Sequence, residues 1–124
     1  MTYEVLRSED NFTIDFKFET ESASVDIRKV SACSLRVTSP QEYSPLGFWM
    51  AQDPDSEEPL RLDAAQQREK VRASLLEMGW GYLPTNDPDV CQMGSVEDVN
   101  ELTIDRLARF LEPRLALKER FDSD

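Results

Sequence analysis

The chain predicts an α+β domain: an N-terminal antiparallel β-meander of four to five strands packed against two C-terminal helices. Three observations carry this expectation. Apolar and polar residues alternate with a period of two through Phe12–Glu19. The gaps between successive strand-like runs are too short for crossover helices. Beyond residue 63 the apolar spacing changes to the three-and-four repeat of a helix. A chain of 124 residues suits one domain over 1–124, with strands over about 2–50 and helices over about 63–79 and 95–118.

The clearest strand is Phe12–Glu19. Phe12, Ile14, Phe16 and Phe18 fall on one face, and Thr13, Asp15, Lys17 and Glu19 on the other, as in a half-buried antiparallel strand. Tyr3–Arg7 precedes it across the turn cluster Ser8-Glu9-Asp10-Asn11. Val25–Arg28 continues the alternation. Cys33–Thr38 is a fourth strand, stopped by Ser39-Pro40, and it places Cys33 on the buried face with Leu35 and Val37. Leu46–Met50, between Pro45 and Pro54, reads as a fifth strand with Trp49 on the face opposite Phe48 and Met50.

Asp63 is the expected N-cap of the first helix, since its carboxylate can accept from the orphan amides that follow. Ala64–Met78 makes that helix, with Ala64, Ala65, Val71, Leu75, Leu76 and Met78 toward the core and Gly79 ending it. The next helix is expected from Ser95, where Ser95 and Asp98 make an acidic form of the capping box; alternatively Thr103 caps a separate helix. Ile104, Leu107, Ala108, Leu111 and Leu115 form its apolar stripe. Pro113 has no amide for the ladder, so a kink or break is expected near Leu111–Glu112. Lys118–Asp124 reads as a frayed tail.

Charge narrows the function. The chain has 25 acidic residues, 14 basic residues and no histidine, for a net charge of −11. Without histidine, Ser-His and Cys-His nucleophiles and His-based zinc sites are excluded. Such a charge repels nucleic acid and anionic membrane surfaces. No apolar run reaches the ~20 residues of a membrane helix. Met1–Arg7 lacks the pattern of a signal peptide and reads as the start of a cytoplasmic protein, where Cys33 and Cys91 stay reduced. A Cys33–Cys91 disulfide would require export without a signal.

The acids are clustered. Residues 1–26 hold seven acids and two bases, residues 51–63 five acids and one base, and residues 85–105 six acids and no base. The densest groups, Asp53/Asp55/Glu57/Glu58 and Asp87/Asp89, lie in proline-punctuated loops. Catalytic carboxylates need surroundings that push their pKa values apart, and polar loops do not supply them, so no catalytic residue is expected. A calcium loop starting at Asp53 fails, because its sixth position is Glu58 and its twelfth Ala64, where glycine and glutamate are required. The four glycines, Gly47, Gly79, Gly81 and Gly94, form no phosphate loop. No metal and no cofactor is expected.

Gly79-Trp80-Gly81-Tyr82 is the most unusual string. It reads either as a helix stop with Trp80 plugging the core edge or as an exposed aromatic anchor, and Trp49 raises the same alternative. The expected partner surface is therefore Asp53, Asp55, Glu57, Glu58, Asp87, Asp89, Trp49 and Trp80. In composition and size the chain resembles bacterial immunity proteins against nuclease-type toxins, and phage proteins that mimic DNA charge. The first expectation is a non-catalytic module that occludes a basic toxin or nucleic-acid-binding enzyme. The alternatives are a DNA mimic, a self-associating structural, adaptor or secretion-chaperone subunit, and a small-ligand binder with a pocket between sheet and helices.

Overall fold

A computed structural model describes residues 2–122; Met1 of the expected start and Ser123 and Asp124 of the expected tail lie outside the described residues. In chain order the elements are β1 (Thr2–Ser8), β2 (Asn11–Lys17), β3 (Ser22–Ser31), β4 (Ser34–Thr38), a 3-10 turn (Gln41–Tyr43), α1 (Leu46–Met50), α2 (Ala64–Glu77), β5 (Trp80–Pro84), β6 (Val90–Ser95), α3 (Glu101–Leu115) and α4 (Leu117–Asp122). The six strands form one antiparallel sheet in the order β1-β2-β3-β4-β6-β5.

The sheet has one apolar face. Phe12, Ile14 and Phe16 on β2 lie opposite Ile27, Val25 and Ala23 on β3. Ile27, Val37 and Cys91 continue one row across the sheet, and Leu35, Met93 and Tyr82 make the next. All of these are buried, each large apolar side chain contributing roughly 1.5–3 kcal/mol of burial. The α3 stripe of Ile104, Leu107, Leu111 and Leu115 covers this face at β1 and β2, and α2 packs on β5. The opposite face, with Asp26, Arg28, Arg36 and Thr38, is exposed.

The α+β class and the first four strands follow the expectation; four features differ. Leu46–Met50 is helix α1, not a strand. Leu46, Trp49 and Met50 are buried at helical spacing, and a five-residue apolar run cannot distinguish the two periods by itself. The sheet gains β5 and β6 from the second half, where the glycines around Trp80 suggested only a turn. Trp80 and Tyr82 are buried while Gly81 and Leu83 are exposed, which is strand alternation.

The last long helix starts later than expected. Ser95 ends β6 opposite Trp80, and Asn100 is the N-cap of α3. Asn100 Oδ1 accepts from the Leu102 and Thr103 amides at 2.8 and 3.1 Å, and Thr103 Oγ1 accepts from the Asn100 amide at 2.9 Å. Finally, α3 runs through Pro113 to Leu115, and α4 occupies residues 117–122 where a frayed tail was expected. The carbonyl that Pro113 leaves unbonded belongs to Arg109, an exposed residue, so water can satisfy it.

The first helix begins as expected. Asp63 Oδ1 accepts from the Gln66 amide at 2.8 Å, and Gln66 Oε1 accepts from the Asp63 amide at 3.0 Å. Gly79, at φ 84°, supplies the left-handed residue that turns the chain into β5. Only Val71 and Leu75 of α2 are buried; Leu76 is 68% exposed, one residue round the helix from Leu75. Cys33 does not lie on the buried face as expected. Cys91 is buried on β6, and Cys33 is half-buried in the β3–β4 turn, its thiol donating to Asp98 at 3.6 Å; both are free.

Candidate functional site

Two acidic loops bracket α1. The first follows it and is closed at its base by Gln52, which is buried. Its Nε2 donates to the Phe48 and Leu60 carbonyls at 3.2 and 3.4 Å, and its Oε1 accepts from the Leu60 amide at 2.8 Å. Within the loop, Asp53 Oδ1 accepts from the Asp55 amide at 2.9 Å and Ser56 Oγ donates to the Glu58 carbonyl at 2.6 Å. Arg120 of α4 reaches over and donates to the carbonyls of Pro54 and Ser56. The backbone is therefore pinned, and the carboxyl-bearing residues Asp53, Asp55, Glu57 and Glu58 are all exposed.

The second loop joins β5 to β6. Thr85 Oγ1 accepts from the Asp87 amide at 3.1 Å and lies 2.7 Å from the Val90 carbonyl. Asp87 Oδ1 accepts from the Asp89 amide at 2.9 Å. The Asp89 carbonyl accepts from the Ser39 amide at 2.7 Å, and its carboxylate accepts from the Ser44 hydroxyl, just before α1. A five-residue helix rises only about 7.5 Å.

Several acids elsewhere pair with bases. Glu97 pairs with Arg106, Asp105 with Arg109 at 3.1 Å, and Glu21 with Lys118 at 3.1 Å. These pairs involve none of Asp53, Asp55, Glu57, Glu58, Asp87 and Asp89. Half-buried Arg114 feels the first loop: its guanidinium lies 3.9 Å over the Phe110 ring, and burial lowers its pKa while the charge of Asp53 opposes that shift.

The two tryptophans do not join these loops as exposed anchors. Trp49 is 8% exposed and packs against Phe48, Tyr43 and Phe121 with ring centroids 4.9, 5.7 and 6.2 Å away. Trp80 is 2% exposed and plugs the core where α2 gives way to β5. Helical geometry turned Trp49 inward, and strand alternation did the same for Trp80.

A cleft of about 190 Å³ opens beside Asp87 and Asp89, between the start of α1, the first turns of α2 and strand β5. Leu46, Gly47, Gln67, Arg68, Tyr82 and Cys91 line it. A Cβ on Gly47 would come within 3.3 Å of the Tyr82 hydroxyl and 3.4 Å of Gln67 Oε1, so glycine keeps that corner open. Burial pushes the Tyr82 hydroxyl up to about 12, with Cys91 adding to the rise and Arg68 opposing it, and burial pushes the Cys91 thiol up to about 12. Both groups are neutral at pH 7. Tyr82 was noted from sequence only as part of the string Gly79-Trp80-Gly81-Tyr82, and Gln67 and Arg68 were not singled out; the Trp80/Tyr82 alternation was the available signal. Among the described residues, no three Cys, Asp or Glu side chains gather in a way that could hold a metal ion. Among the described residues, no helix is long and apolar enough to cross a membrane. Compared with family models, curated proteins and solved structures, the chain matches none.

Proposed function

We propose that this chain is a non-catalytic acidic binding module, an immunity or inhibitor protein that occludes a basic, nuclease-like toxin or enzyme in the cytoplasm. The observation that carries the reading is the pair of pinned loops, which together present six acidic residues. Loops already held by Gln52, Arg120, Ser44 and Ser39 lose little freedom on binding, so less of the contact energy goes into ordering them. Their negative field raises the encounter rate with a basic surface. Once docked, the domain fills the groove in which the partner would hold phosphate, and inhibition is steric.

The test is capture of partners from the native host with the tagged protein at low and high salt, followed by an activity assay of what is retained. A single stoichiometric basic protein, released at high salt and inhibited by the chain, supports the reading. Recovery of the chain alone overturns it. A structural or adaptor role is favoured by a different observation: the sheet has free edges at β1 and β5, which carry the exposed Leu6 and Leu83. A concentration-dependent dimer in sedimentation, with no basic protein retained, would establish that role instead.

A further inference from the structure

We propose that the cleft beside α1 is a socket for one arginine or lysine side chain of the basic partner. The occupant rests on the reading of the chain as an acidic module; the socket rests on its own geometry. Tyr82 is 7% exposed, lines the cleft, and has no hydrogen-bond partner for its hydroxyl among the described residues. The ring is buried and the hydroxyl opens on the cleft, where it is available to a ligand's donor. The hydroxyl and Gln67 Oε1 both sit within 3.4 Å of the point where a Gly47 Cβ would stand. Tyr82 can therefore accept from an incoming N–H while Gln67 offers a second acceptor beside it.

Charge selects the ligand. Asp87 and Asp89 each commit one oxygen to an internal bond, from the Asp89 amide and the Ser44 hydroxyl. Neither second oxygen has a partner among the described residues. Arg68 also lines the cleft, but two carboxylates against one guanidinium leave it net negative, which favours a cation over phosphate. Leu46 supplies apolar surface for the alkyl stem of a long basic side chain. Size agrees: about 190 Å³ is below the roughly 300–1,000 Å³ of small-molecule sites and suits a single side chain.

The experiment is a titration of the intact protein with N-acetyl-arginine amide, N-acetyl-citrulline amide and inorganic phosphate, followed by amide chemical shifts. Citrulline keeps the shape of arginine and removes the charge. Arginine amide should shift Gly47, Tyr82 and Val90 and saturate with a Kd on the order of 1 mM. Citrulline amide should bind about tenfold more weakly. Tyr82→Phe and Asp87→Asn should each weaken arginine binding several-fold; Asp87→Asn keeps the acceptor for the Asp89 amide, so the loop is retained. Equal binding of citrulline, shifts with phosphate in the same place, or no shifts with arginine would overturn the socket. The probe needs no partner, so the two readings fail separately. Arginine binding without capture of a basic protein sinks the inhibitor reading alone, and capture without arginine binding sinks the socket alone.

Discussion

Tyr3 donates its hydroxyl to Asp105 at 2.7 Å, fastening the first strand to the last long helix across 102 positions of sequence. Asp105 is held in turn by Arg109 at 3.1 Å, so the edge strand β1 is tied to α3 by a short polar chain as well as by packing. Tyr82, by contrast, has a hydroxyl with no such partner among the described residues. The same chemical deletion should therefore have opposite consequences at the two sites.

Tyr3→Phe removes a part-buried bond to a carboxylate and should cost about 1 kcal/mol. In a domain of this size that lowers Tm by roughly 4 °C. Tyr82→Phe removes an unpaired polar atom and should leave stability unchanged or slightly raised. Urea unfolding of both variants decides it. Equal losses would mean that the Tyr82 hydroxyl is satisfied in solution.

Glu119 should make the fold sensitive to acid. Its desolvation raises its pKa, but amide bonds from Thr20 and Glu21, at 2.6 Å each, and from Glu19 at 3.2 Å outweigh that and hold it below its ordinary value. A depressed folded-state pKa means stability that is fully present above the unfolded value of about 4.3 and is lost as pH falls through the folded value. Glu119→Gln should thus lower the urea midpoint at pH 6, with the gap to the parent protein narrowing below about pH 4. A constant gap from pH 6 to pH 3 would rule out this linkage.

How far the sequence could be read depended on the length of each pattern. Phe12–Lys17 has three inward residues in strict alternation, and no helix fits them. Asp63 and Gln66 form a cap that depends only on their spacing of three. Leu46–Met50 is too short for its period to be decided locally; burial of Trp49 against Phe121, 72 positions later, decides it. The acidic loops were visible as composition. Their pinning was not, because it depends on Arg120 and Ser44 arriving from distant segments. The cleft was invisible for the same reason: its walls come from three separate stretches of chain.

The true start of α3 can be tested by its cap. Asn100→Ala removes the acceptor for two helix amides and should cost about 1 kcal/mol. Ser95→Ala touches only an exposed bond to the Glu97 amide and should cost less than about 0.5 kcal/mol. The reverse order in urea unfolding would move the helix start back to Ser95.

Charge reversal separates the field of the loops from the charge of the whole chain. Glu57→Lys with Glu58→Lys changes the net charge by four, from −11 to −7. Glu4→Lys with Glu77→Lys makes the same change on exposed residues of β1 and α2. Against a captured basic partner, the loop pair should slow association about tenfold at low salt and much less at high salt, where screening shortens the reach of the field. The control pair should slow it far less, because it lies outside the loops that bracket α1. Stopped-flow association rates at two ionic strengths give the answer. Equal slowing by both pairs would assign the effect to net charge and remove the loops from the contact surface. An unchanged rate for both would leave electrostatic steering with no role, and the loops would then act through short-range contacts alone.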